Sequence, residues 1–76
     1  MRNNHLKLHD VVALMEPIAN HGLRRGQIGT IIDVYEPGVY EVEFADTSGQ
    51  TYASLTLRTR QLLPLYQEPA AAKRSG

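Results

Sequence analysis

Two histidines near the start of the chain have a spacing that occurs in metal sites. His5 and His9 lie four positions apart, which on a helix would put both imidazoles on one face, within reach of one ion. The residues around them do not form a helical pattern, and no third ligand follows at a usable spacing. We therefore predict no metal site, and no cofactor motif indicates another bound group.

The serines of the chain lack the partners that nucleophilic catalysis requires. A catalytic serine needs a histidine base and an acidic residue that orients the base. Ser48, Ser54 and Ser75 lie on a predicted turn, a predicted strand and a polar tail, and none has the flanking residues of a nucleophile elbow. We therefore predict that the protein is not an enzyme.

Gly26 and Gly29 follow a pair of arginines, Arg24 and Arg25. Backbone amides flanked by glycine can bind anions, which would make this segment a phosphate cradle. A Walker loop, however, has a longer glycine spacing and a following Lys-Ser or Lys-Thr, which is absent here. Glycines are also typical of a bulge or a close backbone approach where a strand begins, and we favour that interpretation.

Carboxylates are concentrated on the second and third predicted strands. Apolar and acidic residues alternate along the third strand, so Glu41 and Glu43 should point away from the core. Carboxylates opposed across neighbouring strands repel each other by up to roughly 1 kcal/mol per pair, so a cationic surface that covers them is favourable. We predict an acidic partner-binding face made of Asp33, Glu41, Glu43, Tyr35 and Tyr52. A face that is merely solvated is the alternative.

The cations lie elsewhere in the sequence. Arg24 and Arg25 end a long loop, and Arg58 and Arg60 precede the last predicted strand. If these segments share one side of the domain, the four arginines form a basic patch, which is the alternative binding surface. Tyr35 is flanked by acidic residues, which argues against a nucleic-acid surface of interleaved rings and cations.

The elements that must position these residues are strands. Apolar residues recur at every second position in short runs, separated by Gly, Pro, Asn and Asp. The strands are predicted at residues 10–15, 28–35, 39–45, 50–57 and 62–65, with a long loop at 16–25 and a 3₁₀ turn at 58–61. Five short strands around one core favour closure into a small barrel, since open edges invite pairing with other chains.

Length and composition indicate one globular domain. The chain has 76 residues, no cysteine, and 8 cations balanced by 8 anions. No apolar run approaches the roughly 20 residues that span a bilayer, and we expect neither a membrane segment nor a secretory signal. We predict a cytoplasmic protein with an N-terminal extension at 1–8, a barrel at 9–66 and a disordered tail at 67–76.

Three segments carry a resemblance to a known family. They are DVVAL at 10–14, HGLRRGQIGTII at 21–32 and YEVEF at 40–44, and with the residues between them they resemble the bacterial family known as domain of unknown function 4926 over about residues 9–64. More loosely, the chain is similar to KOW-motif domains. Both resemblances imply an SH3-like barrel, and the first implies a small bacterial protein encoded beside a putative toxin.

The residues and the resemblance together favour a non-catalytic protein-interaction module, in its most concrete form an antitoxin or immunity-type inhibitor of a partner encoded nearby. A KOW-like RNA- or ribosome-binding module that uses the four arginines is one alternative, although nucleic acid is the less favoured partner. A small accessory subunit of a larger enzyme is the other. The oligomeric state is left open.

Overall fold

The computed structural model describes residues 6–66. Within this range five strands and two 3₁₀ turns form, with no α-helix, and so no helix there is able to cross a membrane. The strands are β1 (Val11–Leu14), β2 (Ile28–Glu36), β3 (Val39–Ala45), β4 (Thr51–Arg58) and β5 (Leu62–Pro64), and the 3₁₀ turns are Ala19–His21 and Thr59–Gln61. The predicted all-β class is confirmed, while the predicted tail at 67–76 lies outside the described residues.

The five strands form one antiparallel sheet in the order β4-β3-β2-β1-β5. The predicted closure into a barrel is wrong, because β4 and β5 stand at the two ends of this order and do not pair with each other. The three residues of β5 pair with β1, and the long loop at 16–25 contributes Leu23, 2% exposed, to the core. A packed loop thus contributes to the core of a sheet that does not close.

β3 lies between β2 and β4, the three strands that carry the candidate site. Its bounds are those predicted, and burial alternates along it, with Tyr40, Val42 and Phe44 buried and Glu41 and Glu43 only partly so. Alternation follows from the pleat, which sends successive side chains to opposite faces. The outer face of β3 is therefore polar and its inner face is core.

The core is continuous from the start of the described chain to β5. Its buried members are Leu6, Val12, Leu14, Leu23, Ile31, Tyr40, Val42, Phe44, Leu57 and Leu62. Leu6 lies before β1, within the segment that we predicted as an extension, and it is 8% exposed. At least this part of the N-terminal segment therefore contributes apolar surface to the fold.

The long loop between β1 and β2 is held by its own backbone. Ile18 and Leu23 exchange two hydrogen bonds, of 3.0 and 3.2 Å, which close a small bridge around the first 3₁₀ turn. Gly22 ends that turn with a φ of 69°, a left-handed conformation that glycine adopts without steric cost. The loop is thus a built element of the surface rather than an open connection.

Candidate functional site

The outer face of β3 collects the acidic residues that the alternation predicts. Glu41 lies between Asp33 on β2 and Thr56 on β4, and Glu43 is flanked by Thr30 on β2 and by a serine on β4. These two rows run straight across three strands. We use the term acidic face for the carboxylates of Asp33, Glu41 and Glu43.

A bulge in β2 is the reason that Asp33 belongs to this face. The pairing of β2 with β3 shifts by one residue between Ile31 and Asp33, so that Ile31 opposes Val42 and Asp33 opposes Glu41. In a regular strand Ile32 would oppose Glu41, and Asp33, two residues after the buried Ile31, would turn toward the core. The bulge therefore brings a third carboxylate to the outer face.

Hydroxyl groups surround the carboxylate of Glu41. The Ser54 hydroxyl donates to Oε2 at 2.6 Å, while the hydroxyls of Thr56 and Tyr35 donate to Oε1 at 2.9 and 3.1 Å. The Thr51 hydroxyl, which lies beyond the row of Glu43, donates to Oε2 of Glu43 at 2.7 Å. Such donors stabilise the ionised form of an acid and fix the direction in which its oxygens point.

The titration of the site follows from these contacts. The hydroxyl of Ser54, followed by those of Thr56 and Tyr35, holds the pKa of Glu41 below its ordinary value of 4.5 against the opposing effect of burial. The same contact raises the pKa of Tyr35 above 10.0, chiefly because its proton is held by the Glu41 carboxylate. At neutral pH Glu41 is therefore an anion and Tyr35 a neutral donor.

Within the described residues, the carboxylates of the acidic face form no ion pair. Among residues 6–66 the one ion pair is that of Lys7 with Asp10, at 3.2 Å, on the turn before β1. The neighbours of Glu41 and Glu43 on β4 are hydroxyl residues, so the repulsion that we expected across strands is confined to the opposed pair of Asp33 and Glu41. Considering residues 6–66 alone, the face is negatively charged, ordered by hydroxyls, and exposed to solvent.

The two tyrosines assigned to this face occupy different places. Tyr35 is 55% exposed and contacts Glu41. Tyr52, at the start of β4, is 47% exposed, and its hydroxyl oxygen accepts a hydrogen bond of 2.6 Å from the amide of Gln27. The structure therefore joins Tyr35 to the acidic face through a side-chain contact and places Tyr52 beside the segment that enters β2.

The four arginines are exposed and are not brought together along β3. Arg24 and Arg25 line a groove of about 400 Å³ that reaches the last residue of β3. Arg58 ends β4 opposite the first residue of β3, and Arg60 lies in the second 3₁₀ turn. The register thus puts Arg58 and the Arg24 and Arg25 pair at opposite ends of this strand.

Gly26 and Gly29 shape the backbone at the start of β2, which is the interpretation that we favoured. Gly26 has a φ of 90° and its amide donates to the carbonyl of Leu14 at 2.7 Å. Gly29 is buried within the sheet between Val12 and Phe44. With one amide already bonded and the other glycine buried, the pair shapes the entry into β2.

A second groove lies between the loop and β4. It has a volume of about 440 Å³, and one wall is the loop segment from Glu16 to His21 while the other is the second half of β4, including Leu55 and Thr56. Across its end the Gln61 amide donates to Glu16 Oε2 at 3.2 Å. No group of three or more histidines, aspartates or glutamates suited to a metal ion occurs in the described part of the chain.

The hydroxyl residues of β4 are the site members that the sequence interpretation missed. Ser54 and Thr56 alternate with the apolar Ala53, Leu55 and Leu57, as the acids alternate on β3. This matching period was a usable signal, because two adjacent strands with the same alternation place their polar side chains on one face. Which hydroxyl meets which acid depends on the register.

These features define a small all-β domain with an ordered, negatively charged sheet face. The family described as Domain of unknown function (DUF4926) matches residues 8–64. The chain belongs to this family, as the resemblance of its three segments indicated. No curated protein and no solved structure shows significant similarity to the chain.

Proposed function

We propose that this chain is a non-catalytic protein-interaction module whose acidic face binds a cationic surface of a partner protein. The observation that carries the proposal is the state of Glu41, an anion fixed by three hydroxyl donors with no cation beside it within residues 6–66. A carboxylate that is already oriented loses little conformational freedom when a cation arrives. The surface is thus prepared for a charged partner.

Charge and aromatic surface have separate roles in this interaction. Carboxylates that face a basic surface speed the encounter and exclude wrong partners, whereas buried rings supply much of the affinity. Tyr35 lies next to the carboxylates, and more than half of its surface is exposed. We therefore assign approach and specificity to Glu41 and Glu43, and part of the affinity to Tyr35.

In its finer form, the proposal is that the module is a cytoplasmic antitoxin that covers the basic active site of a nuclease-like toxin. The support is the family resemblance, which implies a gene beside a putative toxin, together with the acidic face. A small accessory subunit of a larger enzyme would use the same surface. The two roles differ in the activity of the partner, which falls on binding in the first case and rises in the second.

The test begins with the partner. The chain is used to capture proteins from its native cells, the eluate is treated with nuclease, and any stoichiometric protein that remains is identified by mass spectrometry. That protein is then assayed with and without the chain. Inhibition supports the antitoxin, activation supports the accessory subunit, and the absence of any nuclease-resistant protein contradicts the proposal.

Charge variants then locate the surface. Glu43→Lys should weaken binding and reduce its dependence on salt, and the double variant with Glu41→Lys should weaken it further. Glu36→Lys, at the end of β2, is the matched control because it changes the net charge by the same amount outside the acidic face. Equal effects of Glu43→Lys and Glu36→Lys would show that only total charge matters.

The groove beside Arg24 and Arg25 supports RNA binding as the second candidate function. Paired guanidinium groups beside a cleft can hold phosphates, and such binding weakens steeply with salt. Filter binding at low salt with structured and single-stranded RNA tests this function, with the Arg24→Glu and Arg25→Glu double variant as the comparison. No retention at low salt eliminates it.

A further inference from the structure

The free edge of β4 differs from the other end of the sheet. β5 has three residues, one of them Pro64, which has no N–H, and the N–H of Leu62 already donates to the carbonyl of Thr59. β4 has eight residues, no proline, and no charged residue before Arg58. Proteins protect edges with short strands, proline and charge. β5 carries such protection and β4 does not.

Two residues of β4 direct their backbone groups outward. The N–H of Thr59 donates to the carbonyl of Gly38 at 3.2 Å, which fixes the alternation of the ladder between β3 and β4. From this bond, the residues of β4 that are hydrogen-bonded to β3 include Leu55 and Leu57, so the N–H and C=O groups of Ser54 and Thr56 point away from β3. Within residues 6–66 these groups have no backbone partner, and they form a short ladder at the edge.

Beyond Thr56, the outward N–H of β4 is already bonded. The N–H of Arg58 donates to Oε1 of Gln61 at 2.8 Å, inside the turn that follows. At the other end, the pairing shifts between the residues opposite Ala45 and Phe44, which marks a bulge beside Tyr52. The unpaired stretch is therefore centred on Leu55.

The groove of about 440 Å³ runs along this same stretch. Leu55 and Ile18 are partly buried residues that pack against the core, one on β4 and the other in the loop that forms the opposite wall. The loop holds its own shape through the bonds between Ile18 and Leu23. A polar ladder and an apolar lining thus lie side by side.

We propose that β4 binds one extended segment of the partner protein as a sixth, antiparallel strand, in which basic and apolar residues alternate. This inference rests on the proposed function and names the part of the partner that is recognised. Main-chain hydrogen bonds to Ser54 and Thr56 hold the segment, as in other cases of strand addition. Its apolar side chains enter the groove toward Leu55 and Ile18.

The acidic face determines the charge of that segment. Residues opposite each other in an antiparallel pair share a face, so a residue opposite Thr56 continues the row of Asp33 and Glu41, and one opposite Ser54 continues the row of Glu43. Two strand spacings separate the new backbone from β3, about 10 Å, which a lysine or arginine and a glutamate span together. Basic residues are therefore favoured at these outward positions.

A second copy of this chain fits the edge less well. Paired β4 strands would bring two copies of the loop wall into the one groove, because the loop flanks this edge in each copy. They would also set two acidic faces side by side in one sheet, which costs repulsion. A single strand with free flanks avoids both conflicts.

Synthetic peptides test the inference. The probe is a fluorescein-labelled peptide of about eight residues that alternates lysine and valine, a length matched to β4, and binding is followed by fluorescence anisotropy at low salt. Because Ser54 and Thr56 are outward residues, the lysines opposite them make the backbone bonds. N-methylation of the lysine amides should weaken binding by about tenfold or more, whereas N-methylation of the valine amides should not.

A variant of the protein provides the matched test. Ser54→Pro removes the outward N–H at a position where an edge strand tolerates proline, and Ser54→Ala removes only the hydroxyl. The first should lose peptide binding by about tenfold and the second should keep most of it. Urea unfolding shows whether Ser54→Pro is folded, and the methylated peptides decide the question if it is not.

The possible results separate this inference from the proposed function. If both methylated peptides bind like the parent while Glu41→Lys and Glu43→Lys abolish binding, the acidic face stands and strand addition is wrong. If methylation of lysine matters and the charge variants do not, strand addition stands and the acidic face is wrong. A dimer in sedimentation whose Ser54 and Thr56 amides resist hydrogen exchange without peptide would assign the edge to a second copy and overturn the inference.

Discussion

Replacement of Gly29 by alanine tests whether the glycine motif serves packing. A β-carbon at this position would lie 2.7 Å from Cγ1 of Val42 and 2.8 Å from Cε1 of Phe44, where carbon atoms prefer roughly 3.5 to 4.0 Å. Both neighbours are fully buried, so relief of the contact requires movement within the packed core. Overpacking of this kind costs about 1 to 3 kcal/mol.

An opposing effect is smaller. Alanine restricts the unfolded chain and in this way stabilises a protein by about 0.4 to 1 kcal/mol where the backbone permits. The net expectation for Gly29→Ala is therefore a loss of about 1 to 2 kcal/mol from a domain whose total stability at this length is about 4 to 11 kcal/mol. Urea unfolding at equilibrium measures the change as a lower midpoint with an unchanged slope.

A double variant supplies the control. Val42→Ala alone removes buried methyl groups and should destabilise the domain by about 1 to 2 kcal/mol. Combined with Gly29→Ala it also removes the nearest clash, so the double variant should be more stable than the sum of the two losses predicts. If Gly29→Ala were as stable as the parent, or if the two losses added, the packing explanation of the motif would be refuted.

Three other predictions concern the surface and the ends of the fold. Because the pKa of Glu41 is lowered on folding, its contribution to stability is present above pH 4.5 and is lost as the pH falls through the folded pKa. Glu41→Gln should therefore flatten the acid side of the curve of unfolding free energy against pH, measured by urea unfolding. Identical curves for the variant and the parent would contradict this. His9 has a φ of 74°, so His9→Gly should stabilise the domain by about 0.5 kcal/mol in thermal unfolding, whereas His21→Gly, in a 3₁₀ turn, should not. Leu6→Ala should cost about 2 kcal/mol and Leu8→Ala, at an exposed site, less than about 0.5 kcal/mol; equal effects would exclude Leu6 from the core.

The fold was predictable from sequence wherever alternation and turn residues agree. β3 shows the clearest case, since three apolar residues alternate with two acids between a Pro-Gly turn and an Asp-Thr-Ser-Gly turn, and its bounds were predicted without error. The length of β5 and the open sheet were not predictable in the same way. Closure depends on whether β4 and β5 meet in space, and a loop that packs onto the core supplies apolar cover that no strand pattern reveals.

The candidate site was predictable in its charges and not in its contacts. The parity of Glu41 and Glu43 follows from the sequence, whereas Asp33 has the parity of the buried Ile31 and reaches the outer face only through the bulge. A bulge inserts one residue into a pairing, and nothing in the Ile31-Ile32-Asp33 run marks where that insertion falls. The face on which Asp33 lies is therefore set by the pairing of β2 with β3 rather than by local sequence preference.

The hydroxyls of β4 also change the meaning of the acidic face. Carboxylates without hydroxyl partners on adjacent strands would repel each other, and any cationic surface would relieve that repulsion. Repulsion alone is therefore a weak argument for a specific partner. Glu41 instead has its lone pairs directed by three donors, so a cation is favoured at the remaining positions around the carboxylate rather than anywhere on the face. Two of those donors, Ser54 and Thr56, also direct their backbone groups away from β3. A strand that binds this edge therefore passes directly beside the fixed carboxylate. The recognition of charge and the recognition of backbone are thus properties of the same two residues.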